Sequence, residues 1–415
     1  MSMISTIQVK NFKAIRDSGS LKIKPFTVLI GNNGSGKSSL LEAMATYQAI
    51  VRDGVDAAMQ PWKGFEYIRN FNAGERKSRT YEGREVVGEP MRFYLRMYLG
   101  RRPLKLYMQL DSDGNRLFIV SEKHRFENRD VLRDSTGYVI LPEDERSLVP
   151  LADGISMISP TPSVHDVTRF DPTLAARAVL DWQFVLLEPE LMGEPHPQQR
   201  TGGKVRLRKD GRNVADYLRS INECGEPGQR AVEALIDAMH FVLPYAQDIK
   251  TQITSELERA VYLQTNEEGL RKPIPGWLLS TGTLRVVALL ALLKDPTGPS
   301  VIFIEEIENG LDPRTVSLLV DEIRRVTQSG EKQVIVTTHS PYLLDLLELD
   351  DVLLCERGEK GPEFFWPVDR EEMEHWRNRF LPGKLYTMNA LKRETPPVSG
   401  EATGEAPEGG WGEGE

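Results

Sequence analysis

The spacing of apolar residues among polar ones changes along the chain, and the first change comes within 50 residues. The short alternating segments IQV and LKI precede the apolar run FTVLI, which ends at Ile30. The next segment, SSLLEAMATYQAIV, has the spacing of an amphipathic helix. This order predicts two or three strands, a loop and a helix, the unit from which domains with a parallel sheet are built.

The middle of the chain, from about residue 60 to 270, has another pattern. The alternating segments MRFYLRMYL, KLYMQL and RLFIV are separated by turn pairs such as Asp113-Gly114, which predicts antiparallel hairpins. Beyond Pro172 we expect two helices, TLAARAVLDWQFVLL and RAVEALIDAMHFVL, with the polar loop RTGGKVRLRKDGRN between them. No heptad pattern is sustained, so no long coiled-coil arm is expected.

Strand and helix patterns alternate again from about residue 275 to 370, so the parallel sheet is expected to resume there. The apolar run VVALLALL lies between Arg285 and Lys294 and is far shorter than the ~20 residues that cross a bilayer. It predicts a buried helix and no membrane association.

These patterns predict a domain organisation. Residues 1–60 and 270–393 form a core built on the parallel sheet, 61–269 form an inserted subdomain of strand hairpins and helices, and 394–415, rich in Gly, Pro and Glu, form a disordered acidic tail.

Composition excludes several classes of protein. A net charge of -9 argues against a protein that coats nucleic acid over its whole surface, although a local basic patch would still bind it. Cys224 and Cys355 lie far apart without metal-ligand spacing, which argues against a disulfide framework or a zinc site and fits a reducing compartment. The N-terminus has no continuous apolar run of a signal peptide, so we predict a cytoplasmic protein.

The loop GNNGSGKS, Gly31 to Ser38, lies between an apolar strand and a helix and matches a phosphate-binding P-loop. Its glycines let backbone N–H groups curl around phosphates, Lys37 reaches the outer phosphates, and Ser38 ligates Mg²⁺. The alternative is an ordinary glycine-rich turn.

A second motif, VIFIEEIENGLDP, places Glu305 and Glu306 after a short apolar strand. Ligands bind at the carboxyl ends of parallel strands, and successive residues point to opposite faces, so the two carboxylates can have different roles. One would hold Mg²⁺, and the other would polarise an attacking water. By itself the pair also fits a solvated strand end.

Two further motifs are less specific. In WLLSTGTLRVVALLALL, Ser280 and Gly282 open an apolar helix, which is either a second phosphate site or only an N-capped core helix. In QVIVTTHSPYLL, an apolar strand ends at His339 before Pro341. A lone histidine in that position is either functional or structural.

In this order the four segments resemble the ABC ATPase superfamily, and within it the RecF, SMC and OLD-like branch. The resemblance covers about 30 to 50 N-terminal residues and roughly 275–370, but not the middle. It implies an α/β fold, namely an ABC ATPase-type P-loop domain with a mixed and parallel sheet, interrupted by a large α+β insertion. It also implies ATP and Mg²⁺ as cofactors.

The resemblance assigns a role to each motif. Glu306 is the catalytic glutamate, His339 is the switch histidine that senses the γ-phosphate, and Asn309–Asp312 is the D-loop. Glu305 takes the Walker B position, where most members have Asp, and would hold the metal with Ser38. The implied ATP-binding residues are Gly31, Asn32, Asn33, Gly34, Ser35, Gly36, Lys37, Ser38, Ser39, Ser280, Gly282 and Asp312.

Two regions match the family less closely. The opening segment VKNFKAIRDS is similar to the first strand of the same branch, which would bring Lys13 or Arg16 near the nucleotide. No residue is assigned as the Q-loop glutamine. The two candidates after the first helix, Gln48 and Gln60, do not lie in a matching sequence context.

In this superfamily the signature serine and glycine of one protomer complete the γ-phosphate site of the other. On the resemblance, the signature motif is Ser280 to Thr283. This chain carries one P-loop and one signature motif, so we hypothesise a two-fold, ATP-sandwich dimer, with a higher oligomer as a further option.

The leading function is a dimerising ATP-driven switch in DNA repair or anti-phage defence, with a separate effector such as a nuclease or Toprim protein; this is family analogy. DNA is a candidate partner for the basic stretch from Arg200 to Arg212, which otherwise is a solvated surface loop. The alternative is a sensor scaffold in which ATP holds the assembly closed around a toxic effector without acting on DNA. An energy subunit of a membrane transporter fits less well, because the segment between Lys37 and Ser280 is too long for it.

Overall fold

Two large sheets stacked around α1 form the framework of the protein. The computed structural model describes residues 2–73, 78–81, 84–114, 116–126, 129–133, 138–141, 144–160, 172–202, 204–255, 257–371, 373–376 and 379–392. The tail predicted for 394–415 lies outside these residues.

The strands are β1 Ser2–Phe12, β2 Ile15–Asp17, β3 Leu21–Lys22, β4 Phe26–Ile30, β5 Ser78–Tyr81, β6 Arg84–Val87, β7 Met91–Leu99, β8 Arg102–Ser112, β9 Leu117–Phe126, β10 Arg129–Arg133, β11 Tyr138–Leu141, β12 Asp144–Pro150, β13 Gln183–Val185, β14 His196–Pro197, β15 Lys250–Ile253, β16 Ala260–Thr265, β17 Ile274–Pro275, β18 Val301–Ile304, β19 Gln333–Thr338, β20 Val352–Gly358 and β21 Gly361–Phe365. The helices are α1 Lys37–Asp53, α2 Val55–Met59, α3 Phe65–Ile68, α4 Pro172–Leu180, α5 Pro189–Met192, α6 Val214–Asn222, α7 Glu226–Val242, α8 Thr281–Lys294, α9 Pro313–Gln328, α10 Pro341–Asp345, α11 Met373–Trp376 and α12 Pro382–Thr387.

The central sheet has the strand order β13-β18-β19-β4-β20-β21. Its first five strands are parallel, and β21 is antiparallel to β20. The strands β4, β18 and β19 are buried along their whole length, which agrees with their uninterrupted apolar runs and with helices on both faces. The predicted α/β fold with a mixed sheet is therefore confirmed.

The second sheet is antiparallel, with the order β12-β11-β10-β9-β8-β7-β1-β2 and with β3 beside β1. The predicted hairpins of the middle region are its strands β7, β8 and β9, which pair in succession. At the β8–β9 turn Gly114 has φ +88°, a conformation that glycine adopts at no steric cost. The alternating residues of β7 and β8 bury one face of this sheet.

The two faces of the central sheet belong to two apolar cores. Val301 and Phe303 pack with α1 and the antiparallel sheet. The alternate residues Ile302 and Ile304 pack with α6, α7, α8 and α9. The apolar run of α8 from Val286 to Leu293 is buried, as predicted. In the part of the chain that the structure describes, no helix has the length and apolar character needed to cross a bilayer.

One predicted helix was wrong in its C-terminal half. The segment TLAARAVLDWQFVLL begins as α4, but α4 ends at Leu180 and Gln183–Val185 form β13, which pairs in parallel with β18. The apolar side chains fit a helix or a strand, and pairing with the open edge of β18 decides between them. The Gln48 amide of α1 donates to the carbonyls of Val179 and Trp182, both at 2.9 Å, and holds this bend.

Elements from the range 61–269, predicted as an insertion, enter both sheets. Strands β7 to β12 extend the antiparallel sheet from β1, and β13 extends the central sheet. A smaller sheet, β14-β16-β15 with β17 beside β16, lies next to α6. Two strands outside this range, β1 and β18, therefore each take a neighbour from it.

Candidate functional site

The carboxyl ends of the parallel strands meet at one edge of the central sheet, here called the catalytic edge. The loop 31–36 follows β4, Glu305 and Glu306 follow β18, and His339 follows β19. Because β19 lies between β18 and β4, the structure brings these three motifs to neighbouring positions. Ligands of open parallel sheets bind at such an edge.

The P-loop turns sharply, and its glycines are required by position. Gly36 has φ +113°, and a Cβ there would lie 2.4 Å from Pro362 Cγ. At Gly31 a Cβ would lie 2.0 Å from the carbonyl oxygen of Cys355. The loop is therefore pressed against the β20–β21 hairpin, and a larger residue at either position would displace it.

Lys37 is folded back onto its own loop. Its ammonium donates to the carbonyl oxygens of Gly31, at 2.6 Å, and Asn32, at 3.0 Å. Burial lowers the pKa of Lys37, and the nearby carboxylates Glu306 and Glu308 oppose that shift. The lysine is thus held beside the acidic residues of the catalytic edge.

A cavity of about 920 Å³ opens beside the P-loop. Asn32, Asn33 and Ser35 line it on one side, and the β20–β21 hairpin and the segment after α12 line the other. The Tyr386 hydroxyl lies 3.2 Å from Asn32 Oδ1, and Arg357 donates to the carbonyl of Gly34 at 3.3 Å. The size of the cavity suits a small-molecule ligand such as a nucleotide. Ser39 is buried in α1, behind the loop.

Glu305 and Ser38 lie together and supply oxygen atoms of the kind that Mg²⁺ prefers. Burial raises the pKa of Glu305, and the Lys209 ammonium and a hydrogen bond from Ser38 oppose the rise. Mg²⁺ bound with a nucleotide takes one or two protein oxygens besides phosphates and waters. The pair therefore fits a magnesium ion.

Glu306 has an unusual backbone. Its φ is +50°, a left-handed conformation that non-glycine residues rarely adopt and that concentrates at functional sites. Its N–H donates to Thr337 Oγ1 at 3.0 Å, and Asn309 Nδ2 donates to Glu306 Oε2 at 3.4 Å. The side chain is exposed at the catalytic edge.

The signature segment lies apart from the P-loop of the same chain. Ser280 caps α8 by accepting from the Thr283 N–H at 3.1 Å, and it is exposed. A Cβ at Gly282 would lie 3.2 Å from the Gly310 carbonyl, so the segment packs on the D-loop. Among the described residues, no hydrogen bond or ion pair joins 280–283 to 31–38.

Comparisons with known proteins agree with the fold. The family model "AAA domain, putative AbiEii toxin, Type IV TA system" matches residues 178–345, and the model "AAA ATPase domain" matches residues 3–49. A solved SMC head bound to the C-terminal winged-helix domain of ScpA superposes with a TM-score of 0.53 at 12% identity, covering 87% of this chain and 97% of that one. A Pyrococcus furiosus Smc head with an extended coiled coil, bound to the C-terminal domain of ScpA, gives 0.51 at 11% identity, covering 91% and 100%.

Two segments of the chain thus match AAA ATPase family models, and its fold is that of the solved SMC heads. Curated proteins similar to this chain include ABC transporter G family member 41 of Arabidopsis thaliana, 25% identical over 162 residues, which are 38% of this chain and 11% of the relative. Member 42 of Oryza sativa subsp. japonica is 28% identical over 145 residues, 33% of this chain and 9% of the relative. The ATPase spans about a tenth of the length of these relatives.

The residue just before Asn309–Asp312, Glu308, was not singled out by the sequence motifs. Its Oε1 accepts from the His339 N–H at 2.7 Å, and its Oε2 is buried with no hydrogen-bond partner among the described residues. Glu308 thereby ties the segment after β18 to the end of β19. The available signal was a third acidic residue within four positions of the same strand end.

Asp312, predicted from the D-loop to bind ATP, caps α9. Its carboxylate accepts from the N–H groups of Arg314, at 2.9 Å, and Thr315, at 3.2 Å. The hydroxyl of Thr315 and these N–H groups hold the pKa of Asp312 below its usual value. The structure therefore gives this carboxylate a local capping role.

Lys13 and the candidate Q-loop glutamines can now be placed in the ATPase. Lys13 pairs with Glu42 of α1 at 2.6 Å and lines a cavity of about 390 Å³ together with 357–361, whereas Arg16 is exposed on β2. Gln48 is engaged inside the core, and Gln60 is exposed. Neither glutamine lies at the catalytic edge.

The cations of the basic stretch from Arg200 to Arg212 have different partners, and some of them are exposed. Arg206 donates to the Leu180 carbonyl at 2.6 Å, and Arg212 donates to Asp210 at 2.7 Å. Lys209 lies 3.7 Å from Glu305. The other three cations, Arg200, Lys204 and Arg208, are exposed.

Proposed function

We propose that this chain is an Mg²⁺-dependent ATPase that works as a dimerising switch. Two copies close face to face over two ATP molecules, and hydrolysis allows them to separate. The observation that supports this most is the exposed, capped start of α8, which carries the signature residues but is not bonded to the P-loop of its own chain. A second copy would complete the site.

The residues of the catalytic edge have the chemistry that this reaction needs. Lys37 and the P-loop N–H groups would bind the phosphates, and Ser38 and Glu305 would hold Mg²⁺, which neutralises charge on the phosphate oxygens. Glu306 would accept a proton from the attacking water. His339, at the end of the neighbouring strand, would contact the γ-phosphate.

A Glu306→Gln variant tests the dimer. Without the general base, ATP should stay bound, so with Mg²⁺ and ATP this variant should elute as a dimer on gel filtration coupled to light scattering. The matched control is Glu306→Gln combined with Lys37→Ala, which should stay monomeric because phosphate binding is lost. A monomeric Glu306→Gln variant with ATP bound, or a dimer independent of ATP, would contradict the proposal.

For the cellular role we propose DNA repair or anti-phage defence, in the cytoplasm, with a separate nuclease or Toprim-type effector. The support is analogy with the RecF- and SMC-like class and the toxin–antitoxin description of one matched family model. The exposed cations Arg200, Lys204 and Arg208 are the candidates for contact with the DNA backbone.

The alternative, a sensor scaffold that sequesters a toxic effector, is supported by the protein partner that both SMC head structures contain. Duplex binding measured against salt concentration separates the two. A DNA-acting switch should bind duplex with a steep salt dependence, which replacing the three exposed cations by Gln should flatten. The control replaces the exposed cations Arg52, Arg230 and Lys250. No duplex binding, with an effector that co-purifies, would favour the scaffold.

A further inference from the structure

A tight turn from the basic stretch reaches the catalytic edge. The turn consists of Arg208, Lys209, Asp210 and Gly211, and the Gly211 N–H donates to the Arg208 carbonyl at 2.9 Å. At its tip the Lys209 ammonium lies 3.7 Å from Glu305 Oε1. A cation from outside the four sequence motifs therefore faces the candidate metal ligand.

The turn is fixed in shape. Gly211 has φ +78°, and a Cβ there would lie 2.8 Å from Leu187 Cδ2 and 2.9 Å from Met192 Sδ. Asp210 accepts from both the N–H and the side chain of Arg212. Only glycine fits where Gly211 approaches Leu187 and Met192. This packing and the Asp210–Arg212 hydrogen bonds together fix the position of the turn.

The turn is also attached to the central sheet. The Leu186 N–H donates to the Lys209 carbonyl at 2.8 Å, and the Glu188 N–H donates to the Asp210 carbonyl at 2.9 Å. These bonds continue from β13, the neighbour of β18. The backbone of Lys209 is thus held next to the end of the strand that carries Glu305, while its half-exposed side chain keeps rotational freedom.

Charge explains why a lysine is needed there. The Glu305 side chain is 14% exposed, and a carboxylate withdrawn from water needs a compensating cation. Among the described residues, Lys209 is the one basic group within ion-pair distance of it. The carboxylate of Glu42, which pairs with Lys13, lies nearby and also raises the pKa of Glu305.

We propose that Lys209 is a positioning residue of the ATP site: it holds Glu305 while Mg²⁺-nucleotide is absent and gives way when the divalent cation arrives. This inference rests on the proposed function. Both cations compete for one carboxylate, so the metal must displace the ammonium.

The test measures binding of a ribose-labelled fluorescent ATP analogue while MgCl₂ is titrated. In Lys209→Gln the competing cation is gone, so the Mg²⁺ concentration for half-maximal binding should fall about two- to fivefold, the range expected for a partly exposed ion pair. Lys209→Arg should behave like the parent. Arg230→Gln, which changes an exposed cation on α7, is the control and should also be unchanged.

Each outcome has a distinct meaning. An unchanged or higher Mg²⁺ requirement in Lys209→Gln, with nucleotide still bound, overturns this inference and leaves the proposed function standing. The same decrease in Arg230→Gln would assign the effect to general surface charge and would also overturn it. Failure of the parent chain to bind nucleotide at any Mg²⁺ concentration overturns the proposed function and this inference together.

Discussion

Glu308 shows how a single carboxylate couples two motifs that are far apart in the chain. It accepts the backbone N–H of His339 and lies close enough to Lys37 to affect that lysine's pKa. A hydrogen bond to a charged group stabilises more than a neutral one, and its loss leaves a donor unpaired. Glu308 therefore positions the histidine segment relative to the P-loop.

We expect Glu308→Ala to lower kcat about 10- to 100-fold, the effect of losing one charge-assisted hydrogen bond, with little change in KM for ATP. If it acts through His339, adding the change to His339→Ala should cost nothing further in steady-state ATPase assays. Glu308→Gln, which keeps an acceptor oxygen, is the control and should retain most activity. Additive losses in the double variant would separate the two residues.

At the scale of elements, α8 begins with a residue that has a structural duty besides its proposed functional one. The Ser280 hydroxyl caps the helix, and the same exposed end carries the partial positive charge of the helix dipole. Stability and phosphate binding therefore depend on the same atom, and a simple alanine substitution would not distinguish them.

Ser280→Asp separates the two duties. Asp is a good N-cap, so the free energy of unfolding in urea should stay near that of the parent, whereas Ser280→Ala should lose about 1 kcal/mol. The added negative charge should repel the γ-phosphate and abolish most ATPase turnover. If Ser280→Asp turned over ATP like the parent, Ser280 would not belong to the site.

At the opposite end of the central sheet, a buried lysine makes stability depend on pH. Lys332 is 4% exposed and donates to the Asp295 carbonyl at 3.0 Å. Burial lowers its pKa from 10.5 to about 8. The unfolded chain then binds more protons than the folded protein between pH 8 and 10.5, so this group's contribution to stability rises with pH in that window.

The difference in unfolding free energy between the parent and Lys332→Met should therefore increase in favour of the parent, by about 1 kcal/mol from pH 7 to pH 9. Chemical denaturation at the two pH values measures it. For the exposed control Lys360→Met, the difference in unfolding free energy from the parent should be the same at both pH values. A Lys332→Met difference that stays constant or falls would show that Lys332 loses no proton in this range.

On the scale of the whole molecule, the proposed dimer predicts that two inactive variants, Lys37→Ala and Ser280→Asp, can complement each other. Lys37→Ala removes nucleotide binding but keeps the signature segment, and Ser280→Asp does the reverse. Each variant alone should be inactive. In a mixture, heterodimers would contain one intact P-loop facing one intact signature segment, so ATPase activity should partly return. A mixture as inactive as its components would place the complete site within one chain.

The sequence by itself determined the local chemistry of this ATPase. The P-loop, the strand that ends in Glu305 and Glu306 and the strand that ends at His339 are each contained within about a dozen residues, and their spacing and glycines are set by short-range sterics. The hairpins β7 to β9 and the buried helix α8 also follow from local periodicity. Such features can be predicted because no distant part of the chain decides them.

Only the tertiary structure decided which distant residues meet. The pairing of β13 with β18 turned the end of a predicted helix into a strand, and that strand places the Lys209 turn beside Glu305. The Glu308–His339 bond and the outward position of Ser280 likewise depend on strand order. Residues separated by tens to hundreds of positions are brought together by sheet register and core packing, which local spacing does not encode.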